Sequence, residues 1–227
     1  MCFPEFSELF YVFGKKELVN RKLKKCKLKN DNRNLLEIVC SGLMDVFYVP
    51  GCEPVIYASD AVINAVNTQR TENRVLIDII DGVSLPDCEL PFPVVLSFPE
   101  LPKIALNHRA DLYAFDVVNS SVDLTLSGHS TAKLFGRTQN LNVSHEGDGE
   151  VSAKLLISQN ANLNITGKGY VHVTVVREII SNDSDKRNIK NYYRHDHSPV
   201  LIHQFNDRSI PICLCPNCQI RNTTIVN

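Results

Sequence analysis

The chain has 227 residues, and its 24 Lys and Arg against 25 Asp and Glu give a formal net charge of −1. A nucleic-acid-binding domain usually carries a clear excess of positive charge, so this balance argues against that function. No apolar run approaches the roughly 18 to 20 residues that a membrane-spanning helix needs. Trp is absent, and any hydrophobic core must therefore be built mainly from Val, Ile and Leu.

The first 34 residues are interpreted as a basic N-terminal extension. Apolar residues at 9–13 precede the lysines, whereas a secretory signal places its positive charge first. The sequence therefore predicts no standard signal peptide. The basic stretch 15–33 has two interpretations. One is an arm that binds polyanions or a membrane surface; the other, which we favour, is a solvated extension or a stretch that precedes the true start of the domain.

Eight cysteines are scattered along the chain rather than grouped in a dense framework. This distribution is typical of free thiols in a reducing compartment, although the even count leaves disulfides open.

Five eleven-residue segments align without gaps: 36–46, 104–114, 124–134, 141–151 and 163–173. Their first, third and last positions are apolar, and their seventh is small. In a β-strand the first and third residues face the same side, and a small residue allows a tight turn. The second position then faces outward, which makes Thr125, Asn142 and Asn164 candidate ligand-facing residues.

The last four segments begin about 17 to 22 residues apart, the spacing of one coil in a parallel β-solenoid. An amphipathic helix is the alternative, but repeated Gly, Asn and β-branched residues disfavour it. The sequence therefore predicts an all-β solenoid over residues 35–176. Residues 177–227 are interpreted as a polar linker and a cysteine-containing C-terminal tail.

Residues 35–176 resemble the head-GIN domain, a bacterial family of autotransporter-adhesin type. The resemblance lies in LEIVCSGLMDVFYVPGCEPVIYAS at 36–59, in a polar stretch at 60–73 interpreted as a short helix, and in VVLSFPELPKIALN at 94–107. It implies a right-handed single-stranded parallel β-helix without catalytic residues, usually in an exported protein. The chain departs from the family in its missing signal segment, its cysteines, its Pro-rich insertion at 85–93 and its irregular extensions. We therefore expect a soluble cytoplasmic or non-classically secreted protein.

The C-terminal tail holds one pattern that suggests a metal. Cys213, Cys215 and Cys218 have the spacing of half a zinc knuckle, and His203 (or His195 or His197) would be the fourth ligand. Structural zinc usually takes two spaced ligand pairs, and a second cysteine pair is missing. We favour free thiols or a strand that caps the solenoid, with zinc as the alternative, and expect no other cofactor.

Three histidines fall near the same position of the aligned segments. His108 and His145 occupy position five, and His129 occupies position six. Because neighbouring coils stack about 4.8 Å apart, the alignment predicts a ladder of imidazoles along one edge. Such a ladder would bind a transition-metal ion or respond to pH. Exposed turn residues without a role are the alternative that we favour.

Catalytic motifs are absent from the sequence: it has no Gly-rich phosphate loop after a strand, no GxSxG and no HExxH. Cys40 with His108 is a weak candidate for a nucleophile and its base, since such a pair must be adjacent in space. We therefore expect a non-catalytic binding or structural module that presents polar β faces to a protein or glycan surface. The alternatives are a polysaccharide-acting enzyme with its site where the solenoid meets the tail, and a bacterial protein delivered into a host.

Overall fold

The computed structural model describes residues 24–27, 37–51, 55–58, 66–70, 74–79, 91–182, 188–192, 204–205 and 208–209. These residues are all-β, with thirteen strands and no helix among them. The strands are β1 (Lys24–Lys27), β2 (Glu37–Pro50), β3 (Val55–Ala58), β4 (Val66–Arg70), β5 (Arg74–Ile79), β6 (Phe92–Phe98), β7 (Lys103–Leu126), β8 (Thr131–His145), β9 (Glu150–Ile165), β10 (Tyr170–Ser181), β11 (Ile189–Asn191), β12 (Gln204–Phe205) and β13 (Arg208–Ser209).

Eleven of these strands form one large sheet that is mostly parallel and is not closed. β2 pairs in parallel with β5, β6 and β7. From β7 to β11 the strands follow chain order, each parallel to the next. The antiparallel pairs are β1–β3, β3–β6 and β4–β5. β12 and β13 pair only with each other.

The core follows from the alternation of side chains along each strand. In the second half of β7, for example, Val122, Leu124 and Leu126 are buried, and the residues between them are partly exposed. The predicted inward positions are confirmed wherever the structure describes them. These buried residues are Ile38, Ile104, Leu106, Leu124, Leu126, Leu141, Val143, Leu163 and Ile165, all members of one continuous core.

The pairing register differs from the alignment of segments. Leu124 pairs with Val143 rather than with Leu141, and Val143 in turn pairs with Leu163. Both differences amount to a shift of two residues, which keeps every side chain on the same face of the sheet because the side-chain period is two. The inward and outward assignments therefore hold although the partners change.

The short helix predicted within 60–73 is wrong where the structure describes that stretch. Residues Val66–Arg70 form β4, which pairs antiparallel with β5. Val, Asn and Thr are poor helix formers, and an adjacent strand at 74–79 supplies the backbone partners that favour an extended conformation.

A left-handed backbone recurs at three neighbouring positions, in β2, in β7 and in the turn after β7. Gly42 (φ 114°) pairs with His108 (φ 65°), and the backbone of His108 lies against Gly128 (φ 65°). Glycine adopts this conformation readily, whereas a side chain is strained in it. His108 is therefore a non-glycine residue at a position that favours glycine.

The division into 1–34, 35–176 and 177–227 stays a prediction. β1 lies before residue 35 and β11 after residue 176, and each pairs with a strand between those limits.

Candidate binding surface

Nine polar side chains form a regular array on the outward face of three neighbouring strands. Ser121 of β7 pairs with Asn140 of β8, which pairs with Asn160 of β9. Two further rows run parallel to this one, and no member of the array is buried. We call the nine residues the polar array: Ser121, Asp123 and Thr125 in β7, Asn140, Asn142 and Ser144 in β8, and Asn160, Asn162 and Asn164 in β9.

Hydrogen bonds between strands fix the orientation of this array. Asn142 Nδ2 donates to Asp123 Oδ1 at 2.7 Å and to Ser121 Oγ at 3.2 Å. Ser121 Oγ also donates to Asp123 Oδ2 at 3.0 Å. In the next strands Asn160 Nδ2 donates to Asn140 Oδ1 at 3.1 Å. Since each Asn amide carries both a donor and an acceptor group, these bonds hold polar groups of both kinds on one face.

The buried residues between the polar ones hold the array in place. In β9, Ala161, Leu163 and Ile165 are buried and alternate with Asn160, Asn162 and Asn164. A strand that buries this apolar set has to present the asparagines outward.

The three ligand-facing candidates predicted from the sequence all belong to the polar array. Thr125 pairs with Ser144, and Ser144 pairs with Asn164, so Thr125 and Asn164 share one row. Asn142 lies in the adjacent row, between Asp123 and Asn162. The other six members were not predicted from the sequence, although polar and apolar residues alternate at 140–144 and 160–164. Whether any of them contacts a ligand stays a prediction.

The three candidate histidines do not form one ladder. His108 and His129 are exposed, and His129 Nδ1 lies 2.6 Å from Asp148 Oδ1. His145 is instead fully buried and pairs with Leu126. The alignment failed here because the two-residue register shift moves His145 away from the turn position that His108 occupies.

The predicted metal ligands Cys213, Cys215, Cys218 and His203 lie outside the described residues. Among the residues that the structure does describe, no group of three or more His, Cys, Asp or Glu is placed to hold a metal ion. Cys40 is fully buried, and burial raises the pKa of its thiol to about 12. Because the thiolate is the reactive form, this burial disfavours Cys40 as a nucleophile.

No described helix is long and apolar enough to cross a membrane.

Comparisons with solved structures find distant similarity. The chain is similar to a putative adhesin from Bacteroides fragilis NCTC 9343, with a TM-score of 0.51 and 13% identity over 76% of this chain and 93% of that one. A putative adhesin from Parabacteroides merdae ATCC 43184 gives a TM-score of 0.37 and 16% identity, covering 76% of this chain and 97% of that one. A putative lipid binding protein from Parabacteroides distasonis ATCC 8503 gives a TM-score of 0.34 and 11% identity, covering 76% of this chain and 97% of that one. The first of these likenesses supports the fold alone.

No curated protein matches the sequence. A family described as "Putative auto-transporter adhesin, head GIN domain" does match, over residues 55–190, which is more than half of the chain. The chain therefore belongs to the head-GIN domain family.

Proposed function

We propose that the protein is a non-catalytic binding module whose polar array contacts a hydroxyl-rich glycan. The observation that supports this function most strongly is the array itself, in which nine adjacent outward residues are Ser, Thr, Asn or Asp. The adhesin description of the family points to binding in the same coarse sense.

The chemistry of the array favours sugar over protein as its partner. Buried centres of protein interfaces are rich in aromatic and other apolar side chains, and the polar array contains none. Amide and hydroxyl groups both donate and accept hydrogen bonds, as sugar hydroxyls do. A glycan can therefore satisfy groups that an apolar protein surface would leave without partners.

The same chemistry predicts weak binding by a single array. A hydrogen bond contributes about 1 kcal/mol net, so four simultaneous bonds give a dissociation constant of about 1 mM. Useful affinity then requires several arrays bound to one polymer, which raises avidity without new contacts.

We also infer that the sheet winds as a single-stranded β-helix, right-handed as crossovers between parallel neighbouring strands almost always are. Thr131 follows Leu126 after only a short turn, yet it pairs in parallel with Asp111 in the first half of β7. Parallel neighbours need a long return path, and here the second half of β7 is the only chain that can supply it. Side-chain bonds between residues 19 to 20 positions apart fit one coil per repeat.

Retention on immobilised neutral polysaccharides tests the proposed function. We expect Asn162→Arg to abolish retention, because a long charged side chain at an exposed position of the array would block contact with the flat face. Thr166→Arg, at an exposed turn position after β9, is the matched control and should bind like the wild-type protein. Equal retention of both variants would contradict the assignment of the array, and release of new reducing ends would contradict the non-catalytic role.

A further inference from the structure

Two lysines converge on one tyrosine ring beyond the last parallel strands. Lys154 Nζ of β9 lies 5.3 Å from the centroid of the Tyr192 ring. Lys190 Nζ of β11 lies 4.9 Å from the same centroid. An ammonium group within about 6 Å of an aromatic ring is attracted by it. Two like charges therefore lie within about 10 Å of each other at the Tyr192 ring.

A histidine completes this group, which we call the Tyr192 cluster: Glu150, Lys154, His172, Lys190 and Tyr192. The His172 and Tyr192 rings lie 5.7 Å apart, and Tyr192 Oη is 3.4 Å from His172 Nδ1. Glu150 Oε1 lies 3.8 Å from the same nitrogen. Burial and Lys154 lower the pKa of His172, Lys190 lowers it further, and Glu150 offsets part of the effect.

The charges of this cluster do not balance. At neutral pH Lys154 and Lys190 contribute two positive charges and Glu150 one negative charge, while the lowered pKa keeps His172 neutral. Within the described part of the chain, neither lysine forms an ion pair with a carboxylate. An anionic group within reach of both ammonium groups would remove this excess.

We propose that Lys154 and Lys190 bind the carboxylate of an acidic glycan. The anion chemistry follows from the Tyr192 cluster, whereas the choice of a glycan rests on the proposed function of the polar array. The same strand joins the two surfaces, since β9 carries both Lys154 and Asn160. At about 3.3 Å per residue, six residues of strand separate them by at most about 20 Å. β9 has pairing irregularities between the two residues, so a single polymer reaches both surfaces only by following the bends of the strand.

The imidazole of His172 reports on binding at this site. A carboxylate bound by the lysines offsets the positive charge that lowers the pKa of His172, so that pKa rises when the site is filled. NMR titration of the imidazole in the full chain measures this rise. Oligogalacturonate is the probe, an uncharged glucose oligomer is the control without carboxylates, and polyglutamate supplies carboxylates without sugar.

Two variants locate the effect. We expect the double variant Lys154→Gln/Lys190→Gln to weaken oligogalacturonate binding about five- to tenfold, in line with two exposed charge contacts. Lys133→Gln is the matched control, because Lys133 Nζ lies 5.4 Å from a different tyrosine ring, that of Tyr113. That variant should change the affinity less than twofold. The binding should also weaken as salt is raised, since exposed charges are screened.

Three results would overturn the proposal: no saturable change at His172 with oligogalacturonate, equal weakening by Lys133→Gln and the double variant, or equally tight binding of polyglutamate. The last result would mean that the site recognises any acidic polymer rather than a glycan. Failure here differs from failure of the proposed function, because binding of the uncharged oligomer and its loss in Asn162→Arg depend on the polar array alone.

Discussion

Leu126 and His145 are paired neighbours in β7 and β8, and both side chains are fully buried. A polar ring thus occupies an inward position next to a leucine. The turn after β8 makes this possible, because Gly147 N donates to His145 Nδ1 at 3.2 Å and His145 Nε2 donates to Gly149 O at 2.9 Å. Both ring nitrogens are satisfied by backbone groups, which offsets the cost of burying a polar side chain.

His145→Leu should lower the free energy of unfolding by about 1 to 2 kcal/mol, because the buried Gly147 N–H loses its partner, whereas Gly149 C=O still accepts from Tyr170 N–H. Urea denaturation measures the change. His129→Leu is the matched control: its side chain is 70% exposed beside Asp148, and its loss should cost less than about 0.5 kcal/mol. Equal effects of the two variants would contradict a structural role for the buried ring.

Leu126→Asp should prevent folding, because an unpaired carboxylate in the core costs several kcal/mol. Thr125→Asp places the same group on the outward face one residue earlier and should leave a cooperative unfolding transition. Circular dichroism and thermal melting distinguish the two. A Leu126→Asp variant that keeps its β signal and its cooperative melt would show that Leu126 does not face the core.

The alternation of apolar residues predicts which side chains face inward, whereas the alignment of segments does not predict which residues pair. It identifies Leu124 and Leu141 as inward residues, and both are buried. It does not establish that Leu124 pairs with Val143, because a shift of two residues leaves the faces unchanged. The predicted histidine ladder was wrong for the same reason. Only the pairing register shows that His145 lies beside Leu126 rather than beside a turn residue.

His108→Gly should stabilise the protein by up to about 1 kcal/mol, because a left-handed backbone strains a residue with a side chain. The backbone of His108 has this left-handed conformation, with φ at 65°. His129→Gly, at a position without a left-handed backbone, should instead destabilise the protein. Urea midpoints give both signs, and destabilisation by His108→Gly would mean that the imidazole itself makes a contact that outweighs the strain.

The stability of the protein should depend on pH through His172. Burial and Lys154 lower its pKa in the folded state; Glu150 offsets part of this effect, and Lys190 adds a smaller lowering. The unfolded chain therefore binds the proton more readily. The stability that the neutral form of His172 contributes is therefore fully present above the unfolded pKa of about 6.5 and is lost as the pH falls below it. His172→Gln should reduce the loss of unfolding free energy between pH 7.5 and pH 5. An unchanged loss in that variant would contradict the lowered pKa.

The two candidate surfaces differ in how far the sequence reveals them. The polar array is local, since Asn140, Asn142, Asn160 and Asn162 alternate with buried residues within single strands. The Tyr192 cluster draws residues from β9, β10, β11 and the position after β11. Its members lie up to about 40 residues apart in the sequence and meet only through the register of two strand pairs, β9–β10 and β10–β11, which composition and periodicity do not supply.

Backbone-amide NMR of the isotopically labelled protein, titrated to about 10 mM with neutral oligomers of glucose, galactose, mannose and N-acetylglucosamine, tests the central claim most directly. We predict that at least one oligomer shifts resonances concentrated at 121–125, 140–144 and 160–164, with an affinity near the millimolar range expected for a few net hydrogen bonds. Shifts confined to other strands, or no shift with any of the four oligomers, would contradict the polar array as a glycan-binding surface.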